Sequence, residues 1–140
     1  MIKLICVGRV KESYIKEGIQ EFEKRLSAFV RFEVLELKDS DKEKEAKEIL
    51  SKIKNEKVFL LDETGKEYSS GDFSEFLNKE IMNNKDLLFV IGGPTGLSKE
   101  LKYPRIALSK MTFTHEMARL FFTEQLYRAF MINNNRNYHK

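Results

Sequence analysis

Arg136, Tyr138, His139 and Lys140 lie within the last five residues of the 140-residue chain. An imidazole moves protons near neutral pH, a phenol ring stacks on a planar base, and two cations reach phosphate. The stretch is therefore a compact phosphate-binding, base-stacking and proton-transfer kit, although composition alone also allows a frayed end. Upstream, Arg119, Glu124 and Arg128 interrupt an otherwise apolar run. Glu124 and Arg128 have the i, i+4 spacing of a helical ion pair. Arg119 has only Glu116 as an acidic neighbour at helical spacing, which makes it the better candidate for a phosphate contact.

A second kind of chemistry is carried by Asp86 to Leu97, reading DLLFVIGGPTGL. The apolar run Leu87 to Ile91 breaks into Gly92, Gly93, Pro94, Thr95 and Gly96, the pattern of a buried strand that empties into a tight loop. Glycine lets a ligand approach the backbone. The loop is not GxGxxG, and Lys99 does not follow the last glycine as a Walker lysine must. It predicts a small-molecule site more clearly than a phosphate site, and an ordinary strand-to-helix turn is the plain alternative.

Other chemistries find little support. His115 and His139 are too few and too isolated for a metal set, and the single cysteine, Cys6, adds little, so no metal is expected. His115, near a helix start, reads first as a surface or capping residue. Cys6 lies in an apolar run and is expected in the core of a reduced, cytoplasmic protein. No apolar run reaches the roughly 18 residues that span a bilayer, and Met1-Ile2-Lys3-Leu4 lacks the pattern of a signal peptide. A formal charge of +3 is too small to argue for nucleic-acid binding by itself.

The elements that must position these residues follow from periodicity. With 41% hydrophobic and 34% charged residues the chain is globular, and its length fits one domain, residues 1–140. Ile2 to Val7 reads as a first strand ended by Gly8. From Glu12, the spacing of Ile15, Ile19, Phe22, Leu26 and Phe29 is helical. Phe32 to Leu37 suggests a second strand, and the charge-dense Lys38 to Glu48 a solvated loop entering a helix on Ala46, Ile49, Leu50 and Ile53. Val58 to Leu61 forms a third strand, closed by Asp62-Glu63-Thr64-Gly65. Ser69 or Ser70 caps a helix carrying Phe73, Phe76, Leu77 and Ile81. A short irregular piece reaches Pro104, and Ile106 to Leu108 is a fifth strand.

Strands alternating with helices, with continuous apolar runs, predict an α/β domain with a mostly parallel sheet of about five strands and helices on both faces. Ligands of such sheets gather at the carboxyl ends of the strands. Leu61 to Gly65, Gly92 to Leu97 and Ser109 to Thr114 then share one edge. The last helix, capped by Thr114 with Glu116 in its first turn, is apolar from Met117 to Ile132 almost all round. One sheet covers only one side, which predicts a two-fold homodimer through this helix; the alternative is a helix enclosed within one subunit.

Four motifs in order complete the reading: Leu61-Asp62-Glu63-Thr64-Gly65, Phe89 to Leu97, Leu108-Ser109-Lys110-Met111-Thr112-Phe113-Thr114-His115, and the Tyr138-His139-Lys140 ending. With Val7-Gly8-Arg9-Val10-Lys11 they resemble, over the whole chain, the bacterial ribosomal RNA large-subunit methyltransferase H family of the SPOUT superfamily. The resemblance implies a carboxyl-terminal trefoil knot, a homodimer, S-adenosylmethionine as methyl donor, and N3 of a pseudouridine in helix 69 of 23S ribosomal RNA as acceptor on the assembled ribosome. Carried over, the cofactor positions are Leu61, Gly93, Ser109, Lys110, Met111, Thr112, Phe113 and Thr114. Thr114 departs from the family's usual proline.

Methyl transfer from a sulfonium needs the acceptor nitrogen, methyl and sulfur in line, and N3 must lose a proton. His139 is the leading candidate for assisting that loss, with Tyr138 positioning the base and Arg119 beside them. Arg128, Arg136 and Lys140 are candidates for the RNA backbone. Two readings of another class remain open on the residues alone: a flavodoxin-like nucleotide- or metabolite-binding regulatory module, and a ribosome-binding factor without catalysis.

Overall fold

The computed structural model describes residues 1–140. Nine elements follow in the order β1 (Ile2–Val7), α1 (Ser13–Leu26), β2 (Phe32–Leu37), α2 (Lys42–Lys52), β3 (Lys57–Glu67), α3 (Ser70–Asn83), β4 (Leu87–Ile91), β5 (Arg105–Ala107) and α4 (His115–Asn133). The strands form one sheet in the order β2-β1-β4-β3-β5, and every pairing is parallel. This is the α/β architecture expected of the SPOUT resemblance.

Alternation along the strands divides the core. Leu4, Cys6, Phe59, Leu61, Phe89 and Ile91 face α1, α3 and α4, whereas Ile5, Val7, Val58, Leu60, Leu88 and Val90 face α2 and the segment from Leu97 to Tyr103. All five residues of β4 are buried, as its uninterrupted apolar run requires. Cys6 is buried as well, and burial pushes its thiol up to about 12, which leaves it a core residue. No helix is long and apolar enough to cross a membrane.

Three elements differ from the pattern read in the sequence. Helix α2 begins at Lys42, inside the expected loop, because the Asp41 side chain accepts the Lys44 amide and Glu45 is buried with its carboxylate on the Ser40 amide. Its other charges lie on a solvated helical face, which charge density alone does not distinguish from a loop. Strand β3 does not stop at Leu61 but runs on to Glu67, with a register shift that sets both Leu61 and Lys66 opposite Ile106. Gly65 makes this possible, since a Cβ there would lie 2.5 Å from the Arg105 carbonyl carbon.

Helix α4 is the third difference. It packs between α1 and α3 on the sheet, so Phe122, Leu126, Ala129 and Phe130 are buried within the subunit. More of its apolar surface is enclosed here than a helix resting on a sheet alone allows. What stays open is a narrower outward stripe on Met117, Leu120, Phe121, Glu124, Arg128 and Met131.

Candidate active site

The carboxyl ends of β4, β3 and β5 are adjacent in the sheet, and the loops that leave them enclose one cleft of about 700 Å³. Leu61, Ile91, Leu97, Leu108 and Phe113 supply its apolar wall, and Gly92 to Gly96 form a second side. The loop Ser109 to Thr114 closes the third. Within it the Ser109 hydroxyl accepts the Met111 amide at 3.0 Å, and the Thr112 hydroxyl is bonded to Glu63.

Of the residues assigned to a cofactor from the sequence, Leu61, Gly93, Ser109, Met111, Thr112, Phe113 and Thr114 line this cleft. Lys110 does not. Its ammonium points outward and lies 3.8 Å from Glu67. Gly93 also packs closely on β1, since a Cβ there would sit 3.1 Å from Val7 Cγ1. Gly96, at φ +78°, is the loop residue whose backbone demands glycine. Thr114 adopts φ −60°, the value a proline would impose, and adds a side-chain cap that accepts the Met117 amide at 3.2 Å.

The electrostatics were not legible as a site. Asp62, Glu63 and Glu116 face the cleft, and no lysine or arginine lines it. Asp62 is paired with Arg105, whose other nitrogen donates to the Ser98 carbonyl at 3.0 Å. The Glu116 carboxyl is held below its ordinary range by the Glu12 amide and then, against burial, by that of Lys11. With Asp62 offset by Arg105, Glu63 and Glu116 still leave the lining negative, which disfavours phosphate and favours a positively charged ligand. The pair Asp62-Glu63 directly after the apolar run Val58 to Leu61 was the available signal.

A family model described as "Predicted SPOUT methyltransferase" matches residues 1–139. The chain is 46% identical to the ribosomal RNA large subunit methyltransferase H of Christiangramia forsetii, covering 99% of this chain and 98% of that protein. It is 43% identical to the protein of that name from Streptococcus uberis over 99% of both, and 39% identical to that from Caldicellulosiruptor saccharolyticus over the whole of both. The chain belongs to the ribosomal RNA large subunit methyltransferase H family of SPOUT methyltransferases.

In this member of the methyltransferase H family, Arg119 is not the unpartnered cation that its helical neighbours suggested. It is buried, bonded to Glu36 on β2 and 3.5 Å from Glu23 on α1. The partners come from other elements, so helical spacing could not show them. His115 lies at the cleft, its Nε2 3.0 Å from the place of a Cβ on Gly8, a residue at φ +91°.

The tail is docked, not frayed. Tyr138 meets Tyr127 edge-on with ring centroids 4.8 Å apart, and the Arg128 guanidinium covers the Tyr138 ring at 4.8 Å. Arg128 also binds Glu124 at 2.7 Å, so it is engaged inside the chain. Arg136 stacks on Phe29 at 5.7 Å, and Lys140 is exposed. Glu116 and Arg128 are twelve residues apart on α4, about 18 Å along its axis. The structure thus brings together seven of the eight residues assigned to a cofactor from the sequence and places the tail at the opposite end of the same helix.

A second hollow of about 340 Å³ adjoins the cleft and shares Leu61, Leu108 and Phe113 with it. Its wall includes Tyr68, Phe73 and Phe121, and the Ser70 hydroxyl donates to Gln125 Oε1 at 2.8 Å. No group of three His, Cys, Asp or Glu side chains is arranged to hold a metal ion.

Proposed function

We propose that this protein transfers the methyl group of S-adenosylmethionine to N3 of a pseudouridine in helix 69 of 23S ribosomal RNA, acting in the cytoplasm on the assembled ribosome as a homodimer. The observation that carries the reading is the cleft without lysine or arginine, in which three carboxylates surround an apolar wall. S-adenosylmethionine supplies an electrophilic methyl on a positively charged sulfur. Leu61, Leu108 and Phe113 give the flat apolar contact an adenine needs, and backbone groups of the Ser109 to Thr114 loop, including that of Lys110, read its edge. Glu63 and Glu116, which have no lysine or arginine partner, favour the cation over an anionic nucleotide.

The ribosomal RNA acceptor is supported by the printed names of the relatives, and the single nucleotide by the motif resemblance. Within one chain the tail is too far from the cleft to touch a methyl group there. A second copy, docked on the open stripe of α4, supplies a Tyr138-His139 tail from outside, which is the support for the homodimer. The role of Arg119 in this reading is to hold α4 against β2 and α1, while Arg136 and Lys140 face the RNA backbone. The trefoil knot belongs to the same proposal and is supported by the motif resemblance and the family match over residues 1–139.

The test is transfer of a labelled methyl group to ribosomes that lack the modification, followed by mapping of the labelled nucleotide. Label on N3 of that pseudouridine in intact ribosomes is expected, and label on another nucleotide overturns the assignment. Binding of ribosomes without transfer would identify a non-catalytic factor instead.

A further inference from the structure

The tail is held by one contact whose chemistry has a single solution. Arg128 Nη1 lies 3.0 Å from His139 Nδ1. A guanidinium has five N–H donors and no acceptor, so Nδ1 must present its lone pair. The ring in this contact is neutral and its proton is on Nε2. Arg128 is itself fixed on its other side, with Nη2 2.7 Å from Glu124 Oε1 and Nε 3.3 Å from both carboxylate oxygens. Tyr138 beneath the guanidinium completes the clamp. The surface ion pair expected from spacing is thus the first link of a chain from Glu124 through Arg128 to His139.

We propose that Glu124 and Arg128 are positioning residues that set His139 as the Nε2–H tautomer, and that His139 donates this hydrogen bond to a carbonyl oxygen beside the acceptor nitrogen instead of removing the nitrogen's proton. The proposal rests on the methyl-transfer reading above. The imide proton passes to solvent hydroxide, and the charge left behind is shared between the nitrogen and its flanking carbonyl oxygens. The Nε2–H bond stabilises that charge as the nitrogen's electron pair forms the N–CH3 bond. The electron pair of the broken carbon–sulfur bond stays on sulfur, so the balance closes without any further reactant.

Two measurements test it on the full chain. The protein has two histidines, so one His139→Gln sample assigns the ring in long-range ¹H–¹⁵N spectra. In the wild type, His139 is expected as the Nε2–H form with its Nδ1 signal moved upfield by the accepted hydrogen bond. Arg128→Met should return that signal to the free-imidazole position, and Glu124→Gln should move it part of the way. An Nδ1–H pattern, or an Nδ1 signal indifferent to Arg128→Met, overturns the contact.

The second measurement is single-turnover methylation of ribosomes. His139→Gln retains an N–H donor near the place of Nε2 and has no basic nitrogen. It should stay within about tenfold of the wild type, while His139→Ala falls about a hundredfold, the usual loss for one donor to a developing oxyanion. Arg128→Met should lower the maximal rate with the KM for S-adenosylmethionine unchanged. A His139→Gln variant as slow as His139→Ala makes His139 the base and overturns the donor role. A wild type that methylates no ribosome overturns the methyl-transfer reading instead, and the spectra then judge the contact by itself.

Discussion

The carboxylate of Glu116 accepts the backbone N–H of Glu12 at 3.0 Å, and the same oxygen accepts that of Lys11 at 2.9 Å. Helix α1 has no side-chain cap of its own at Glu12. An acid in the first turn of α4 therefore caps the start of α1, more than a hundred residues earlier in the chain. The two helix starts are joined where β1 ends, beside the Gly8 turn and the cleft.

This joint should depend on pH. The Glu116 carboxyl is held below its ordinary value of 4.5, first by the Glu12 amide and, against burial, by the Lys11 amide and nearby positive charge. A carboxyl whose folded value is depressed adds stability that is present above its unfolded value and is lost as pH falls through the folded one. Glu116→Gln should thus melt below the wild type at neutral pH. The gap should narrow as pH falls below 4.5. Melting temperatures of both proteins across that range check it, and a gap that widens toward acid contradicts the joint.

Arg119 provides a second case of long-range pairing. Its guanidinium is buried between Glu36 and Glu23, each of which keeps some contact with water. Removing the cation strands two carboxylates, but their partial exposure softens the penalty. Arg119→Met should lower stability by about 2 kcal/mol, below the usual cost of breaking a fully buried pair. Urea unfolding measures it. Adding Glu36→Gln should recover part of the loss, whereas additive losses would mean that the two side chains act separately.

Gly65 marks where β3 folds over β5. A Cβ would meet the Arg105 carbonyl carbon at 2.5 Å and the Ile106 nitrogen at 2.6 Å. Both obstacles are backbone, so no side-chain rotation relieves them. Gly65→Ala should cost about 3 kcal/mol, at the upper end of ordinary overpacking. A urea midpoint equal to the wild type's would show that the two strands can separate freely.

These cases also show what could be read before the fold. That three loops share one cleft was legible because each follows an apolar run and breaks it with glycine, serine or an acid, and parallel sheets collect such loops at one edge. Thr114 was legible as a cap because its hydroxyl acts within one turn. The partners of Arg119 were not, since Glu36 and Glu23 lie on other elements and no local spacing relates them. Asp62 to Gly65 has the residues of a turn, and only the bulge against Ile106 reveals that the strand continues. Helix α4 looked too apolar for one sheet because its sequence does not show that α1 and α3 stand on either side.

The distance between tail and cleft leads to the sharpest prediction about the whole enzyme. Arg128, which holds His139, is about 18 Å along α4 from Glu116 at the cleft. A functional site assembled from both must take its cleft from one copy and its tail from another. Leu108→Arg fills the cleft with a cation and should abolish S-adenosylmethionine binding. His139→Ala leaves the cleft intact but removes the tail's imidazole. Neither variant alone should methylate ribosomes at more than a small residual rate. After mixed refolding, half of the dimers pair one variant with the other, and each mixed dimer contains one complete site. Activity should return to about a quarter of the wild-type value for a two-fold dimer with independent sites. If each tail served its own cleft, every site in the mixture would keep one defect and no activity would return.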